Sequence, residues 1–450
     1  MNPTDVTRQL ARFAATLNWD QMPESTRRAA RRTFANAVGL AANAARHPAV
    51  ESAAAALAAA GVTGPEIVLG RTATTSRLGS AVLHGIAMHV EDFDDTHLRT
   101  VLHPGAPTVA AALAAASLTG ADGRQVLEAI TAGIEVASRV GNGICPDHFD
   151  RGWHVTGTMG HLGAAVTVGR LLGLDQETMT HAIALAATQA AGTTEQLGSM
   201  TKPLHPGKAA ADGLEAAMLA AAGVTGPSRP LEGDRGLAAL MSSGLDSAAM
   251  LDGLGTTWEV EQNAFKPYSC GIVSHPVIDA AIALRTQIGD PASIASVDVT
   301  VRPVVLDVMG VVEPQDGLQS KFSVYHCFAV GLLDNAAGPD QYTDERALDQ
   351  PVVTLRRKVT ARLDPQMPKD ACHVEVTLTD GRRLGYHVDH ASGSVDNAMT
   401  DEQLRDKFLG LTTARLGQRS HALWDAAWNV DQLDGLGPLF AHSLEEPAHA

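Results

Sequence analysis

Apolar residues recur every three to four positions from 4 to 17 and again from 25 to 45, which predicts two amphipathic helices. Glu24 and Ser25 open the second, and Arg27, Arg28, Arg31 and Arg32 give it a solvated face. The segment 79–90, GSAVLHGIAMHV, carries no charge in its first ten residues and predicts a buried helix. Further helices are predicted at 107–118, 123–141, 157–173, 175–191 and 207–222, parted by TGADG (119–123) and LLGLD (171–175). The octapeptide AAAGVTGP occurs at 58–65 and 220–227, each time after an Ala-rich run. It places Gly61 or Gly223 at a helix end with Pro shortly after, so it reads as a shared stop signal rather than a duplicated domain.

Around Asn263 the pattern changes. A helix is expected near 275–288, but 296–308, 352–364 and 372–390 alternate with the two-residue period of strands. The last contains a hairpin signal at Thr379-Asp380-Gly381. Helical periodicity returns after Met399, where Thr400 and Gln403 have capping-box spacing. The fold class predicted is mainly α. A large all-α helical domain, formed by both chain ends (1–264 and 398–450), carries an inserted, smaller α+β lid domain (265–397), with a cleft between them as the binding site.

The 450 residues are 45% hydrophobic and 19% charged, the composition of a folded globular chain long enough for two cores. Aromatics are only 4%, and small residues take their place, as closely packed helices require. A formal charge of −16 argues against nucleic acid and anionic membrane as partners, and any anionic substrate must meet a local basic pocket. Cys145, Cys270, Cys327 and Cys372 form no CxxC pair and read as free thiols of a reducing compartment. With no signal-peptide core at the N-terminus and no apolar run of membrane-spanning length, a cytoplasmic protein is expected.

Chemistry concentrates in HVEDFDDTHLRTVLHPG (89–105). It puts Glu91, Asp92, Asp94 and Asp95 at the end of a buried segment, where carboxylates must be paired or hydrogen-bonded. His103, before Pro104 and Gly105, is held on a turn. His154 precedes a Gly/Thr-rich helix start whose N–H groups could face the same anion as its ring. In TKPLHPG, Lys202 and His205 bracket Pro203, and a lysine before proline is expected in an extended conformation. Lys266 in FKPY is again followed by proline, and Tyr325 in KFSVY begins an apolar helix.

In order and in sequence, DFDDT, HPG, WHVTGT, TKPLHPG, FKPY and KFSVY resemble the motifs of the MmgE/PrpD family of 2-methylcitrate dehydratases, cis-aconitate decarboxylases and iminodisuccinate epimerases. The resemblance spans nearly the whole chain. It implies a homodimer and a small polycarboxylate substrate, with no metal or organic cofactor in the decarboxylase and epimerase branch that the TKPLH form resembles. Matched position by position, His103, His154, Lys202 and Tyr325 are the implied catalytic residues, and Asp92, Thr96 and Lys266 the implied substrate-binding ones. HPG stands where HPS is more usual and HVTG where HPTS is, at positions expected to hold substrate.

The residue types suit that chemistry. Lysines neutralise substrate carboxylates, and a neutralised carboxylate acidifies the adjacent C–H. A histidine, or a lysine lowered by neighbouring cations, then moves the proton. Asp92 is expected to orient His103, and Tyr325 to act as a second acid. The expected function is a cofactor-independent lyase of decarboxylase or dehydratase type. The alternatives are an epimerase of a small dicarboxylate and a non-catalytic carboxylate-binding protein on the same fold. A Mg²⁺-dependent helical synthase using Asp92, Asp94 and Asp95 would need a second Asp-rich motif, which the helical half lacks.

Overall fold

Two helices, Arg77–His89 and Thr201–Ala221, meet backbone to backbone. A Cβ on Gly85 would overlap the Gly207 backbone, and one on Gly207 would press on the Val82 carbonyl. Only glycine at both positions allows this approach, which brings the start of one helix against the end of the other. Ser76 caps the first helix by accepting from the Gly79 N–H at 3.1 Å, and every residue from Gly79 to His89 is buried. The computed structural model in which this is seen describes residues 5–444. It is mainly helical with small sheets, and among the described residues no helix is long and apolar enough to cross a membrane.

Gly105–Thr119 and Val155–Leu171 pack on this pair, and Gly123–Ile144 packs in turn on both of them. Asp122 and Gln125 form a capping box at the start of Gly123–Ile144. Both copies of the repeated octapeptide end helices, Pro48–Ala59 and Thr201–Ala221, with Gly61 at φ 74° and Gly223 at φ 95°. The capping box predicted at Thr400 and Gln403 starts the helix Asp401–Leu416.

Buried apolar side chains fall into two clusters. One runs from Val6 to Phe265 and resumes from Leu404 to Leu439; the other runs from Ala264 to Val388. The second surrounds a four-stranded sheet in the order Val359–Leu363, Ile294–Val301, Cys372–Leu378, Arg383–Val388. Its first pair is parallel and the others antiparallel, and the last two strands are the hairpin predicted around Asp380. A short antiparallel pair, Thr96 with Ala264 and His97 with Asn263, ties the acidic stretch to the chain at the start of the second cluster.

Three expectations are corrected. The strand predicted over 296–308 ends at Val301, and Pro303–Met309 is helical. Likewise Gln350–Arg356 is a helix and only Val359–Leu363 a strand. In each case a proline in the first helical turn, where no N–H is needed, starts a helix inside an alternating pattern. The helix predicted from 207 begins at Thr201, so Lys202 is helical rather than extended. Pro203 lies in the first turn, and Pro206 is accommodated inside the helix.

Candidate active site

The four carboxylates of the acidic stretch leave the end of the Arg77–His89 helix in four directions, each to its own partner. Glu91 takes the Lys321 ammonium at 3.0 Å. Asp92, in the left-handed region at φ 49°, accepts on Oδ1 from Lys202 Nζ at 2.7 Å and Lys266 Nζ at 2.9 Å. Asp94 takes two imidazoles, His89 Nδ1 on Oδ2 at 2.7 Å and His103 Nδ1 on Oδ1 at 3.1 Å. Asp95 Oδ2 accepts from Asn263 Nδ2 at 2.9 Å. Asp92, Asp94 and Asp95 are all buried.

Their charges differ accordingly. Burial pushes the Asp92 carboxyl up, but the two ammonium groups outweigh it and hold it well below the usual range. Burial also opposes ionisation of Asp94, and the two imidazoles bonded to it prevail, so it too is held well below the usual range. Asp95 has no cation on its oxygens; burial and the neighbouring Asp94 push it up to about 8, which favours its protonated form. Burial is the main reason that the imidazoles titrate low: His89 falls to about 3, and His103 and His154 also lie below the ordinary value. Lys202 is lowered by burial despite Asp92.

A narrow cavity of about 50 Å³ adjoins this network. Asp92, Thr96, His103, His154, Lys202 and Lys266 line it, six of the seven residues matched from sequence. The rest of the lining is apolar, and most of it, Gly271, Ile272, Val273, Val308 and Phe322, comes from the second cluster's segments. The Lys202 ammonium lies over the Phe322 ring, 5.3 Å from its centre. Thr96 Oγ1 is 3.3 Å from His103 Nδ1, and the His103 backbone N–H donates to Thr156 Oγ1 at 3.0 Å. His154 stands at the N-cap of Val155–Leu171, its Nδ1 2.8 Å from Nδ1 of His205. Tyr325 is half-buried against the second cluster and is not among the lining residues.

The orienting role expected of Asp92 falls to Asp94, because Asp92 is committed to two lysines while Asp94 reaches the His103 ring. Gly105, Val155 and Gly157, the positions at which HPG and HVTG depart from the more usual motifs, do not line the cavity. A Cβ on Gly105 would run into the Asp95 carboxyl. Sequence reasoning missed Lys407, whose Nζ donates to the carbonyls of Phe93 at 2.6 Å and Lys266 at 2.9 Å. Burial lowers that ammonium to about 7. Its helix reads as solvated, so the signal was absent; His89 and His205, by contrast, lie inside motifs already singled out.

Ligand atoms of His89, Asp92, Asp94 and His103 come within 4.8 Å of one another. As a metal site the donor set fits poorly, since both carboxylates are engaged by buried lysines or imidazoles that a cation would have to displace. Asp95, pushed toward its protonated form, is equally unsuited to the Mg²⁺ cluster considered from sequence.

The MmgE/PrpD N-terminal domain model matches residues 8–249 and the C-terminal domain model residues 268–432. The chain belongs to the MmgE/PrpD family. Cis-aconitate decarboxylase of Mus musculus is 28% identical over 353 residues, covering 73% of this chain and 70% of its own. The Homo sapiens cis-aconitate decarboxylase is 27% identical, covering 73% and 71%. That of Aspergillus terreus is 25% identical over 465 residues, covering 96% and 95%. A family member with such relatives is an enzyme of the lyase type.

Proposed function

We propose that this enzyme is a cofactor-independent lyase that decarboxylates a small tricarboxylate of the cis-aconitate kind. One observation carries the reading: two buried ammonium groups, Lys202 and Lys266, share one carboxylate at a cavity that also presents His103. The lysines hold and neutralise substrate carboxylates in a low-dielectric pocket, where charge-assisted bonds are strong. When carbon dioxide leaves an unsaturated acid, the electron pair of the broken C–C bond becomes a new double bond. The old one shifts, and its far carbon takes a proton. His103 delivers that proton from Nε2, having taken it up with the trianion. His154 lines the same cavity and contacts the substrate beside it.

The segment 265–397 serves as the lid, since it supplies the apolar wall that excludes water from the reacting carbons. Its separate core supports reading it as an inserted domain. The homodimer implied by the family resemblance is part of the same proposal, and sedimentation at monomer mass at micromolar concentration would remove it.

The test is incubation with cis-aconitate and a panel of di- and tricarboxylates, followed by NMR in deuterium oxide. Carbon dioxide release, with one deuterium at the carbon that gains hydrogen, is expected. Deuterium at a stereocentre, with no change of formula and no carbon dioxide, would make the enzyme an epimerase instead.

A further inference from the structure

The proton carrier in this site is itself held by something. His103 Nδ1 faces two oxygen atoms, Asp94 Oδ1 at 3.1 Å and Thr96 Oγ1 at 3.3 Å. A nitrogen against an ionised carboxylate must carry the hydrogen, so the neutral ring keeps its lone pair on Nε2. The other oxygen of Asp94 does the same for His89, whose Nδ1 lies 2.7 Å away. The two rings meet edge to face, 4.7 Å between centres. His89 Nε2 is buried without a hydrogen-bond partner.

We propose that Asp94 is the positioning residue of this site, a single carboxylate that clamps His103 and His89 by their Nδ1 hydrogens and so leaves the His103 Nε2 lone pair to the cavity. A carboxylate buried without a lysine or arginine on it is a poor way to stabilise a core, because apolar side chains of similar volume do so at less desolvation cost. It does have a use if one of its imidazoles must become charged during a reaction. The carboxylate then stabilises the imidazolium and returns the ring to the same tautomer afterwards. His89 occupies the second oxygen, which fixes the rotation of the carboxylate and aims Oδ1 at His103. It acts through Asp94 and is a positioning residue too.

The inference rests on the proposed function for its kinetic consequence, but not for its geometry. Facing His103 are also His89, Asp92, Lys202 and Lys266; His154 stands by His89, and Asp95 and Lys407 by Asp94.

The experiment has two arms on the full-length enzyme. In the first, Asp94→Asn is assayed across pH. An amide has one accepting oxygen where the carboxylate had two, so it cannot take both Nδ1 hydrogens, and it lacks the charge that stabilises the imidazolium. The expected result is a kcat at least about a hundredfold lower, KM within about threefold of wild type, and a lower apparent pKa on the alkaline limb, where the proton donor is lost. Loss of kcat and rise of KM together, or an unmoved alkaline limb, would reduce Asp94 to a structural role. In the second arm, ring-nitrogen NMR of histidine-labelled protein is recorded for wild type and for His103→Gln and His89→Gln, which identify the two signals. Both rings should show protonated Nδ1 and bare Nε2 in wild type. A protonated Nε2 on His103 overturns the clamp, whether or not Asp94→Asn folds. If no carboxylate is turned over, the proposed function fails while the NMR arm still decides the role of Asp94.

Discussion

Lys202 Nζ lies 2.7 Å from Asp92 Oδ1, although 110 residues separate them in the chain. The contact exists because the glycine-to-glycine approach of two helices sets the first turn of one against the end of the other. Lys266 completes it at 2.9 Å, so one carboxylate compensates two buried ammonium groups.

That asymmetry predicts unequal costs. Asp92→Asn retains the residue type best suited to a left-handed backbone but leaves both lysines facing each other without their shared anion. A loss of about 3–5 kcal/mol is expected, the range for an orphaned buried charge. Lys202→Met leaves Asp92 still paired to Lys266 and should cost clearly less, while removing turnover. Denaturant unfolding of the two variants decides it. An Asp92→Asn protein as stable as Lys202→Met would show that Asp92 does not carry the charge balance.

Much of this was legible in the chain. The helices of the first 260 residues, the repeated stop signal and the hairpin at Asp380 follow from local periodicity and turn chemistry. Six of seven matched residues line one cavity because DFDDT, HPG, WHVTGT, TKPLH and FKPY each fix a residue type at a given spacing. What the sequence does not encode locally is the pairing. Nothing in EDFDD distinguishes the acid that meets lysines from the acid that meets imidazoles; helix rotation decides that. Lys407 was invisible because one exposed-looking turn of Asp401–Leu416 happens to face the acidic stretch.

Gly105 illustrates the same limit and gives a second prediction. From sequence its missing hydroxyl belongs to substrate binding; in the structure its α-hydrogen points at the Asp95 carboxyl. Gly105→Ser should therefore overpack that contact, costing about 1–3 kcal/mol, without changing KM. Thermal unfolding and a KM measurement check this together. A shift in KM or substrate preference with unchanged stability would return the position to the substrate site.

Asp95 predicts how stability follows pH. Its folded pKa is raised to about 8 from an ordinary value of 3.8. Between those values the folded state holds a proton that the unfolded chain has released, so this group's stabilisation is full below about pH 4 and is lost as pH rises toward about 8. Asp95→Asn cannot titrate, so the difference in unfolding free energy between wild type and variant should move against wild type across that window. A constant difference would mean that Asp95 is ionised in the native state and compensated, with Lys407 the nearest cation.

The last prediction concerns the substrate's charge. Before anything binds, the two ammonium groups of Lys202 and Lys266 share the Asp92 carboxylate and a second carboxylate, Asp94, is ionised on the neighbouring imidazoles, so the site has little net positive charge to offer. The imidazoles of His89, His103 and His154 are held low by burial and are neutral. A trianion placed against them reverses that balance, because a nearby negative charge raises an imidazole pKa. Binding should then draw protons from solvent. Since the complex holds more protons than its separated parts, affinity must fall as pH rises, and KM should climb between about pH 6 and pH 8. Calorimetry in buffers of different ionisation enthalpy measures the uptake directly, and at least a sizeable fraction of one proton per site is expected. Removing His103 as His103→Gln should reduce that uptake. A binding enthalpy independent of buffer would mean that the lysines alone neutralise the substrate, and it would leave His103 without the proton that the proposed reaction needs.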